Sequence, residues 1–517
     1  MSSKLNFNRY RYTLLVLFLS VFLTPCFGQD IFGNEWIKKN QKYIKIRVSE
    51  DGVYKISQSQ LQSTGILANN PDPKYIQIFY RGQEIPINIE GESDGRLDAS
   101  DFIEFYGKKN DGGLDKTLYT PASLQPNPEV SLFTEESIYF LTISDATVGK
   151  RYQTLSVSSS SVAETSMAYT SSVNFAEAYY PGNYIIEAMS LSEYIEGEGY
   201  LGNLVAMGAT QNRSINTPNA VSNSTFPPTL EYFVAGRSNA SSTNINGYNH
   251  HLRLSLNSTT VKDTLYKGYG TIRSSVAVSN NLPTVSSVTF AAVNDLGANT
   301  DYQAPGYIRL TYPRSFDASS FSFLPFKIKS TNTNCLLDFS NANWTDAYVL
   351  EPESGTRYSG TKLSNNVQFK INNPQDKQLI VYDRTALKTP TIESVQFNLI
   401  EANTYNAKLL IITNSKLKES AAEYAQYKVS KGYTTLLLTT DEIYDQFYYG
   451  VHHPLAIKNL SSFLLKRAAN KPEYLFLLGK GYETPKTNLQ EDLVPTMGYP
   501  ASDSFFTSEI IDNNLAP

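Results

Sequence analysis

The stretch AKLLIIT, residues 407–413, is a continuous apolar run that breaks with the alternating patterns found earlier in the chain. Such a run is typical of a strand buried on both faces of a parallel sheet. Two similar runs follow, YTTLLLTT at residues 433–440 and EYLFLLG at residues 473–479. The three runs predict three neighbouring buried strands.

Helical patterns separate these runs. Residues 416–432 end on a glycine and carry apolar side chains at helical spacing, namely Leu417, Ala421, Tyr424, Ala425 and Val429. A second helix is predicted to open at His453 and Pro454, since proline suits a first turn. Its apolar side consists of Leu455, Ile457, Leu460, Leu464 and Ala468. The strand–helix alternation predicts a parallel sheet with helices on both faces.

A glycine-flanked turn ends the third run, in NKPEYLFLLGKGYETP at residues 470–485. Sites in open parallel sheets form beyond the carboxyl ends of the strands, which are here residues 413–414, 439–441 and 479–481. One interpretation is a nucleotide-binding loop, but the third glycine of GxGxxG and a following Gly-Lys-Ser/Thr are missing. The other interpretation is that the glycines only end a buried strand.

The composition limits the classes of function. The chain has 517 residues, which predicts several domains, and a net charge of −5 with 18% charged residues. That charge gives no reason to expect a nucleic-acid partner. Because there are only 2 cysteines and 4 histidines, a disulfide framework and most zinc sites are excluded.

The amino terminus predicts export. Residues 1–28 carry Lys4, Arg9 and Arg11 before an apolar run that reaches Gly28, which is the layout of a secretory signal peptide. Lipidation of Cys26 is an alternative, but Pro25 stands where a small residue is wanted. We expect no transmembrane span in the mature chain, which would lie in the periplasm, on the outer-membrane surface or outside the cell.

Short strands and turns dominate the chain before residue 400. Residues 29–160 predict an N-terminal β domain, in which KYIKIRV (residues 42–48) and VYKIS (residues 53–57) are expected to form one hairpin and residues 76–90 a second. Residues 161–400 predict an antiparallel β-sandwich region of one or two subdomains. The predicted fold class is therefore multidomain, mainly antiparallel β followed by an α/β parallel-sheet domain.

Several blocks together resemble the start of the gingipain-type cysteine peptidase domain, a caspase-like α/β fold of secreted Bacteroidota proteins. They include FYYGVHHPLAIKNLSSFLL, PEYLFLLGKG and LVPTMGYPASDSFF, in addition to the runs quoted above. Upstream, EWIKKNQKYIKIRVSEDGVYKIS, SDFIEFYGKKNDGGLDKTLYT and SLFTEESIYFLTI resemble the leading β domains of type IX secretion sortase-like members. DFIEFYGKKNDG and YPASDSFF are the more specific blocks.

The resemblance implies that residues 405–517 begin a cysteine peptidase domain whose His and Cys lie on later strands. In this family the imidazole helps to form a thiolate, which attacks the scissile carbonyl. Here Cys26 lies in the signal peptide and Cys335 in the β region, and no histidine follows the third strand. We therefore expect the dyad beyond Pro517, and no peptidase activity from the chain as given. Lys480 also replaces the acid of the family's Gly-Asp turn.

Asp503 is the substrate-pocket candidate that the resemblance implies. It matches an acidic position close to the family's substrate pocket, where a carboxylate could select a basic side chain. Asp503 also begins an apparent strand, and the alternative is a turn aspartate that caps its own backbone. The implied partners are protein or peptide substrates, and secretion machinery or a cell surface.

A calcium loop is a further candidate, with no cofactor otherwise required. Carboxylates at positions 1, 3, 5, 9 and 12 and a glycine at position 6 fit the spacing of such a loop; the carboxylates are Glu90, Glu92, Asp94, Asp98 and Asp101. The flanking sequences predict strands and not the helices of an EF-hand, so a solvated acidic turn is the alternative. The pairs at residues 250–251 and 452–453 are interpreted as structural histidines, since neither has an evident third ligand.

A non-enzymatic protein is the rival interpretation of the whole chain. In that case the β-sandwich modules would serve adhesion or secretion, and the α/β part would be a degenerate remnant of a peptidase. The function of the α/β part rests on family resemblance and not on a visible site.

Overall fold

The computed structural model describes residues 31–68, 70–182, 193–224, 226–483, 491–511 and 514–516. The predicted signal peptide, residues 1–28, and Cys26 within it lie outside the described residues. Three mainly antiparallel β units are followed by one α/β segment, which confirms the predicted fold class. In the described part of the chain, no helix is both long enough and apolar enough to cross a membrane.

The N-terminal β unit consists of two facing sheets around an aliphatic core. Its strands are β1 (Tyr43–Val48), β2 (Gly52–Ser57), β3 (Ile76–Tyr80), β4 (Gln83–Ile85), β5 (Asn88–Glu90), β6 (Phe102–Gly107), β7 (Ser137–Ile143) and β28 (Thr391–Val395), with helix α1 (Gln58–Ser63) after β2. One sheet has the order β28-β1-β7-β3-β4 and the other β2-β6-β5. Ile46, Ile78 and Ile103 are fully buried between them.

The second predicted hairpin is confirmed. Strands β3 and β4 pair through Ile78 with Ile85 and Tyr80 with Gln83. The two turn residues, Arg81 and Gly82, have φ angles of 47° and 76°. Two positive φ angles are the signature of a type I′ turn, the connection that matches the twist of paired strands.

The first predicted hairpin is wrong. Strand β1 pairs with β7 and β28, whereas β2 pairs with β6 in the facing sheet. The turn at residues 49–51 therefore carries the chain from one sheet to the other. Strand β1 is covered on both faces: Ile44 and Ile46 enter the aliphatic core, and Tyr43 packs on Trp36 at a ring distance of 5.7 Å.

The central β unit follows the same plan at residues 167–314. Its strands are β10 (Met167–Asn174), β13 (Val205–Ala206), β14 (Thr210–Asn216), β15 (Thr229–Gly236), β16 (His250–Leu256), β17 (Thr259–Tyr266), β18 (Thr271–Ala277), β19 (Val285–Ala292) and β20 (Tyr302–Arg314), with a separate ribbon of β11 (Ala178–Pro181) and β12 (Glu198–Leu201). The order β10-β20-β15-β18 faces the order β14-β19-β16-β17. Leu230, Leu254 and Val288 are fully buried in the shared core.

The third β unit is assembled from two separate parts of the chain. Its strands are β8 (Gln153–Leu155), β9 (Val162–Ala163), β21 (Phe323–Phe326), β22 (Asn334–Phe339), β23 (Ala347–Glu351), β24 (Thr356–Ser359), β25 (Thr361–Leu363), β26 (Asn366–Asn372) and β27 (Leu379–Asp383). Strand β8 adds in parallel to β24, and β28 returns to the N-terminal β unit. The β units of the structure therefore combine segments that the predicted domains, 29–160 and 161–400, assign to different domains.

The α/β segment contains the predicted three-stranded parallel sheet. Its elements are β29 (Leu409–Thr413), α2 (Lys418–Ser430), β30 (Thr435–Thr439), α3 (Thr440–Phe447), α4 (Leu455–Arg467) and β31 (Tyr474–Leu478), and a short pair of β32 (Glu509–Ile511) and β33 (Asn514–Ala516) follows. The order is β30-β29-β31, with every pair parallel. Helix α2 covers one face, and α3 and α4 cover the other.

Three details of this segment differ from the sequence-based expectation. Helix α3 was not predicted, although the Thr439 and Glu442 side chains form a capping box at its start. Strand β31 is not buried on both faces, since the Tyr474 and Phe476 side chains are 53% and 37% exposed. Val429, which was expected on the buried face of α2, is 55% exposed. The buried residues of that helix are Ala421 and Ala425.

A buried charge cluster joins the N-terminal and third β units. Glu104 on β6 is fully buried; its carboxylate accepts hydrogen bonds from Tyr382 Oη at 2.5 Å and Arg384 Nε at 2.9 Å. Arg357 Nη1 lies 3.5 Å from the same carboxylate. Arg384 also pairs with Asp346 at 3.0 Å. Such a cluster tolerates no loss of a single member, because the remaining charges would stay buried without a partner.

We expect Glu104→Gln to destabilise the junction of these two units by roughly 3 kcal/mol, since Arg384 and Arg357 would lose their shared carboxylate. Calorimetric unfolding of the purified chain would measure the effect. The matched control is Glu353→Gln, at an exposed glutamate of the third unit, for which we expect about 0.5 kcal/mol or less. Equal unfolding midpoints for the two variants would contradict the assigned role of Glu104.

The α/β segment is fixed to the N-terminal β unit by a second buried contact. Lys45 Nζ on β1 and Asp445 Oδ1 on α3 lie 2.6 Å apart, and both side chains are about nine-tenths buried. Close by, Gly450 has a φ of 78°, and a Cβ there would lie 2.7 Å from Ile138 Cγ2. The backbone after α3 can therefore approach the β unit only because residue 450 has no side chain.

Candidate functional site at the carboxyl edge of the parallel sheet

The carboxyl ends of the three parallel strands meet at one edge. Thr413 Oγ1, at the end of β29, donates to the carbonyl of Leu478 at 2.8 Å. The next residue, Asn414, donates through Nδ2 to Thr440 Oγ1 at 3.4 Å. These contacts hold the ends of β29, β30 and β31 together, so the loops that follow them form one surface.

The glycine-flanked turn after β31 makes room for the returning chain. A Cβ at Gly479 would lie 2.6 Å from Val494 Cγ2, and one at Gly481 would lie 2.7 Å from the Val494 carbonyl oxygen. Leu493 N donates to the Lys480 carbonyl at 2.8 Å, which fixes the return. These close approaches explain the glycines and favour the structural interpretation over the phosphate-binding one.

Lys480, which replaces the acid of the family pattern, points to solvent. Its side chain is 62% exposed, with Nζ 3.0 Å from Tyr482 Oη and 3.6 Å from Glu491 Oε2. The ammonium group therefore forms part of the surface at the carboxyl edge, and in the described structure it pairs with neighbouring residues.

Asp503 lies at the same edge. It opens a short 3₁₀ helix, Asp503–Phe506, so the strand predicted there is wrong. Phe505 and Phe506 are buried and anchor this turn in the core, which leaves Asp503 exposed. Asp503 Oδ1 accepts from Thr496 Oγ1 at 3.4 Å, and Thr496 N would lie 3.3 Å from a Cβ at Gly481. The carboxylate therefore stands beside the end of β31 and is free to meet a ligand from solvent.

A histidine–aspartate pair that the sequence did not reveal lies beneath this edge. His452 Nε2 is 3.4 Å from Asp492 Oδ2, and Asp492 Oδ1 accepts from Tyr482 N at 3.2 Å. Burial lowers the pKa of His452 and raises the pKa of Asp492. Both shifts favour the uncharged forms. The two residues lie far apart in sequence, so no local pattern could have indicated the pair.

His453 is a structural histidine, as expected. It is fully buried, and its Nδ1 accepts from Leu455 N at 3.1 Å, which caps the start of α4. Its Nε2 faces Asp115 Oδ1 at 3.3 Å, and its ring packs on Phe133. Burial lowers the pKa of His453, although Asp115 acts in the opposite direction. His453 thus connects the α/β segment to the N-terminal β unit as a neutral side chain.

We expect the contribution of His453 to the stability of the chain to fall as the pH drops below about 6.5, the ordinary pKa of histidine. The unfolded chain takes up a proton at residue 453 there, whereas the folded chain with its lowered pKa does not. The contribution approaches about 1.4 kcal/mol per pH unit. His453→Asn, which can still cap Leu455 N, should reduce this slope between roughly pH 7 and pH 5. Melting temperatures across that range would measure the slope, and an unchanged slope would contradict the assignment.

Cys335 lies away from this edge, in the core of the third β unit. It is the free cysteine of the described residues and is fully buried on β22. Its Sγ lies 3.1 Å from Glu164 Oε1. Burial, with a further contribution from Glu164, raises the pKa of the thiol to about 12. A thiol with such a pKa supplies almost no thiolate near neutral pH, so it is not suited to nucleophilic attack.

The five carboxylates of the proposed calcium loop are not gathered around one point. Glu90 Oε2 pairs with Arg384 at 2.9 Å, and Glu92 with Arg151 at 2.7 Å. Asp101 instead accepts from the Asp98 backbone N at 2.7 Å. Among the residues that the structure describes, no group of three or more His, Cys, Asp or Glu is arranged to hold a metal ion. Calcium binding stays a prediction from spacing, for which calorimetric titration is the test.

The histidines of β16 also have structural partners. His250 is fully buried, with Nδ1 2.6 Å from Asp301 Oδ1 and Nε2 2.7 Å from the Gly268 carbonyl. His251 lies between Asp295 at 2.8 Å and Asp263 at 2.5 Å. Burial lowers the pKa of His251, but hydrogen bonds to Asp295 and Asp263 raise it overall. These pairs stabilise the rim of the central β unit.

The comparison with protein families gives the identity of the α/β segment. Residues 402–514 match the model of Peptidase family C25. Over these residues the chain is similar to the gingipain-type family. The resemblance seen in the sequence is thereby confirmed, and Peptidase family C25 implies cysteine peptidase chemistry at the level of the family.

A solved structure shows the same fold over most of the chain. The crystal structure of dimeric latent PorU from Porphyromonas gingivalis matches with a TM-score of 0.61 at 14% identity, over 92% of this chain and 46% of that chain. This chain therefore spans about half the length of that protein. The CBM36-1 domain of a multidomain xylanase from the hindgut metagenome of Trinervitermes trinervoides matches at 13% identity, over 28% of this chain and 95% of that chain. Its TM-score of 0.17 carries no argument. No curated protein matches the chain.

Proposed function

We propose that this chain is the amino-terminal portion of an exported gingipain-like cysteine peptidase. The observation that carries the proposal is the match of residues 402–514 to Peptidase family C25, on a parallel sheet whose carboxyl edge is open at Asp503. The three β units, which share their fold with latent PorU, would support and orient that edge. A sortase-like role in type IX secretion, acting on exported protein substrates at the cell surface, is the finer form of this proposal.

Asp503 is the proposed substrate-selecting group. Its carboxylate stands at the carboxyl edge, where sites of open parallel sheets form. A basic side chain of a peptide could pair with it in competition with the weak contact from Thr496 Oγ1. In this arrangement Asp503 contributes to binding and does not itself take part in bond cleavage.

The proposed nucleophile and base come from outside the described residues. Cys335 is the free cysteine in the described part of the chain. Among the described residues, its thiol contacts the carboxylate of Glu164 and no imidazole that could act as a base. His452 and His453 lie just before α4, where His452 faces Asp492 and His453 caps the helix. Hydrolysis by a thiolate therefore needs a Cys and a His that follow this portion, so we propose no activity for the portion alone.

The purified chain is expected not to cleave fluorogenic peptides with Arg or Lys before the scissile bond. A longer form that carries a downstream His and Cys should cleave them, and alanine at that Cys should abolish the activity. Turnover by the short chain that persists in Cys335→Ala would overturn the proposal. An inactive longer form, or a gene that encodes no downstream His and Cys, would favour a non-enzymatic surface protein with a peptidase-like remnant.

In the active longer form, Asp503→Asn should lower kcat/KM for these basic substrates by about threefold, since one exposed ion pair is lost. The matched control is Asp145→Asn, at an exposed aspartate of the N-terminal β unit, which should leave kcat/KM unchanged. An equal loss on substrates with an apolar residue at that position would show that Asp503 does not select charge.

A further inference from the structure

A large groove lies beside β28, and its lining shares no residue with the strand ends of the candidate site. Its volume is about 880 Å³, within the range of about 300–1,000 Å³ that ligand sites span. We name it the β28 groove, and its lining includes Lys38, Lys42, Ile44, Thr64, Val395 and Phe397. The residues come from the loop before β1, the turn after α1, and β28 with the chain that follows it.

Strand β28 offers an open sheet edge to this groove. It is the terminal strand of its sheet and pairs with β1 on one side. Among the described residues, no strand pairs with its other side. The outward N–H and C=O groups of such an edge are a template for one more strand. Strand β28 contains no proline, the usual device that blocks an edge, since Pro390 lies just before it.

The floor of the groove provides apolar contacts. Ile44 is fully buried, and Val395 and Phe397 are partly exposed at the surface. Phe397 is held in place by ring contacts with Tyr43 at 4.9 Å and Trp36 at 5.9 Å. A rigid, half-covered aromatic ring of this kind is suited to anchor an incoming side chain.

The rim of the groove is basic on a chain that is acidic overall. Three lysines line it, Lys38, Lys39 and Lys42, together with one glutamate, Glu401. Lys39 pairs with Glu401 at 2.5 Å. Among the described residues, neither Lys38 nor Lys42 forms an ion pair, and both are exposed. Two positive charges are therefore left over at the rim, although the chain carries a net charge of −5.

We propose that the β28 groove binds an extended acidic peptide segment, which adds to β28 as a further strand. Main-chain hydrogen bonds to the open edge would supply affinity, as in other cases of strand addition. Because side chains alternate along a strand, one set would meet Val395 and Phe397. The acidic set would meet Lys38 and Lys42. This surface is separate from the carboxyl edge of the parallel sheet, so the proposal does not depend on the peptidase function.

The probe is a fluorescein-labelled hexapeptide of alternating Glu and Val, titrated with the purified chain and followed by anisotropy. We expect saturable binding that weakens with salt, because exposed charges are screened within about 10 Å at 0.1 M salt. Lys38→Glu with Lys42→Glu should weaken binding by about tenfold. The matched control Lys370→Glu, at an exposed lysine on β26 of the third unit, should bind as the unaltered chain does.

Two further peptides test the mode of binding. A hexapeptide with Lys in place of Glu should not bind, and one with N-methyl groups on alternate residues should lose affinity, since methylation blocks strand pairing along one edge. Absence of saturable binding up to millimolar peptide would overturn the proposal. Equal binding by the N-methylated peptide or by the Lys38/Lys42 variant would also overturn it. Heparin that displaces the peptide completely, and whose binding depends on the same two lysines, would overturn it as well.

Discussion

The arrangement of the α/β segment depends on one shared core. Helices α3 and α4 lie between the parallel sheet and the N-terminal β unit, so each has apolar residues that serve two neighbours. Ile443 and Phe447 of α3 and Leu460 of α4 are fully buried in this core, with Phe133 from the β unit. Burial of apolar area gives such a junction its free energy, and close packing gives it a fixed geometry. The carboxyl edge therefore has a defined position on the β scaffold.

Buried polar pairs act on the same junctions in a different way. Lys45 with Asp445, and Glu104 with Arg384, are withdrawn from water, and their attraction does little more than offset the lost hydration. Burial raises the pKa of Asp445 against the opposing effect of Lys45, which shows how costly the desolvation is. A displaced junction would leave these charges without partners. The pairs thus select one docking arrangement, while the apolar contacts around them supply stability.

Much of the α/β segment could be predicted because its patterns are local. The apolar run 407–413, the glycine after α2 and the proline before α4 each report on a few neighbouring residues, and the structure confirms the parallel sheet. The prediction of the first hairpin was wrong because the alternating pattern of β1 does not show that this strand is covered on both faces. The capping box at Thr439 and Glu442 is a local sequence signal for the start of α3. The pairs at His452 and His453 join residues distant in sequence, so no spacing rule could reveal them. Asp503 was found by family resemblance alone, and the sequence pattern gave its secondary structure wrongly.

The exposed aromatic flank of β31 has a practical meaning for handling this protein. The ring centroids of Phe476 and Tyr424 are 4.9 Å apart, and those of Tyr474 and Tyr433 are 6.0 Å apart. Together these side chains form an apolar surface beside β31, the terminal strand of its sheet. An exposed edge strand of this kind can pair with a strand of another chain when no other element covers it. Concentrated samples are therefore expected to self-associate through this flank, and a charged substitution at Tyr474 is the simplest way to keep them dispersed.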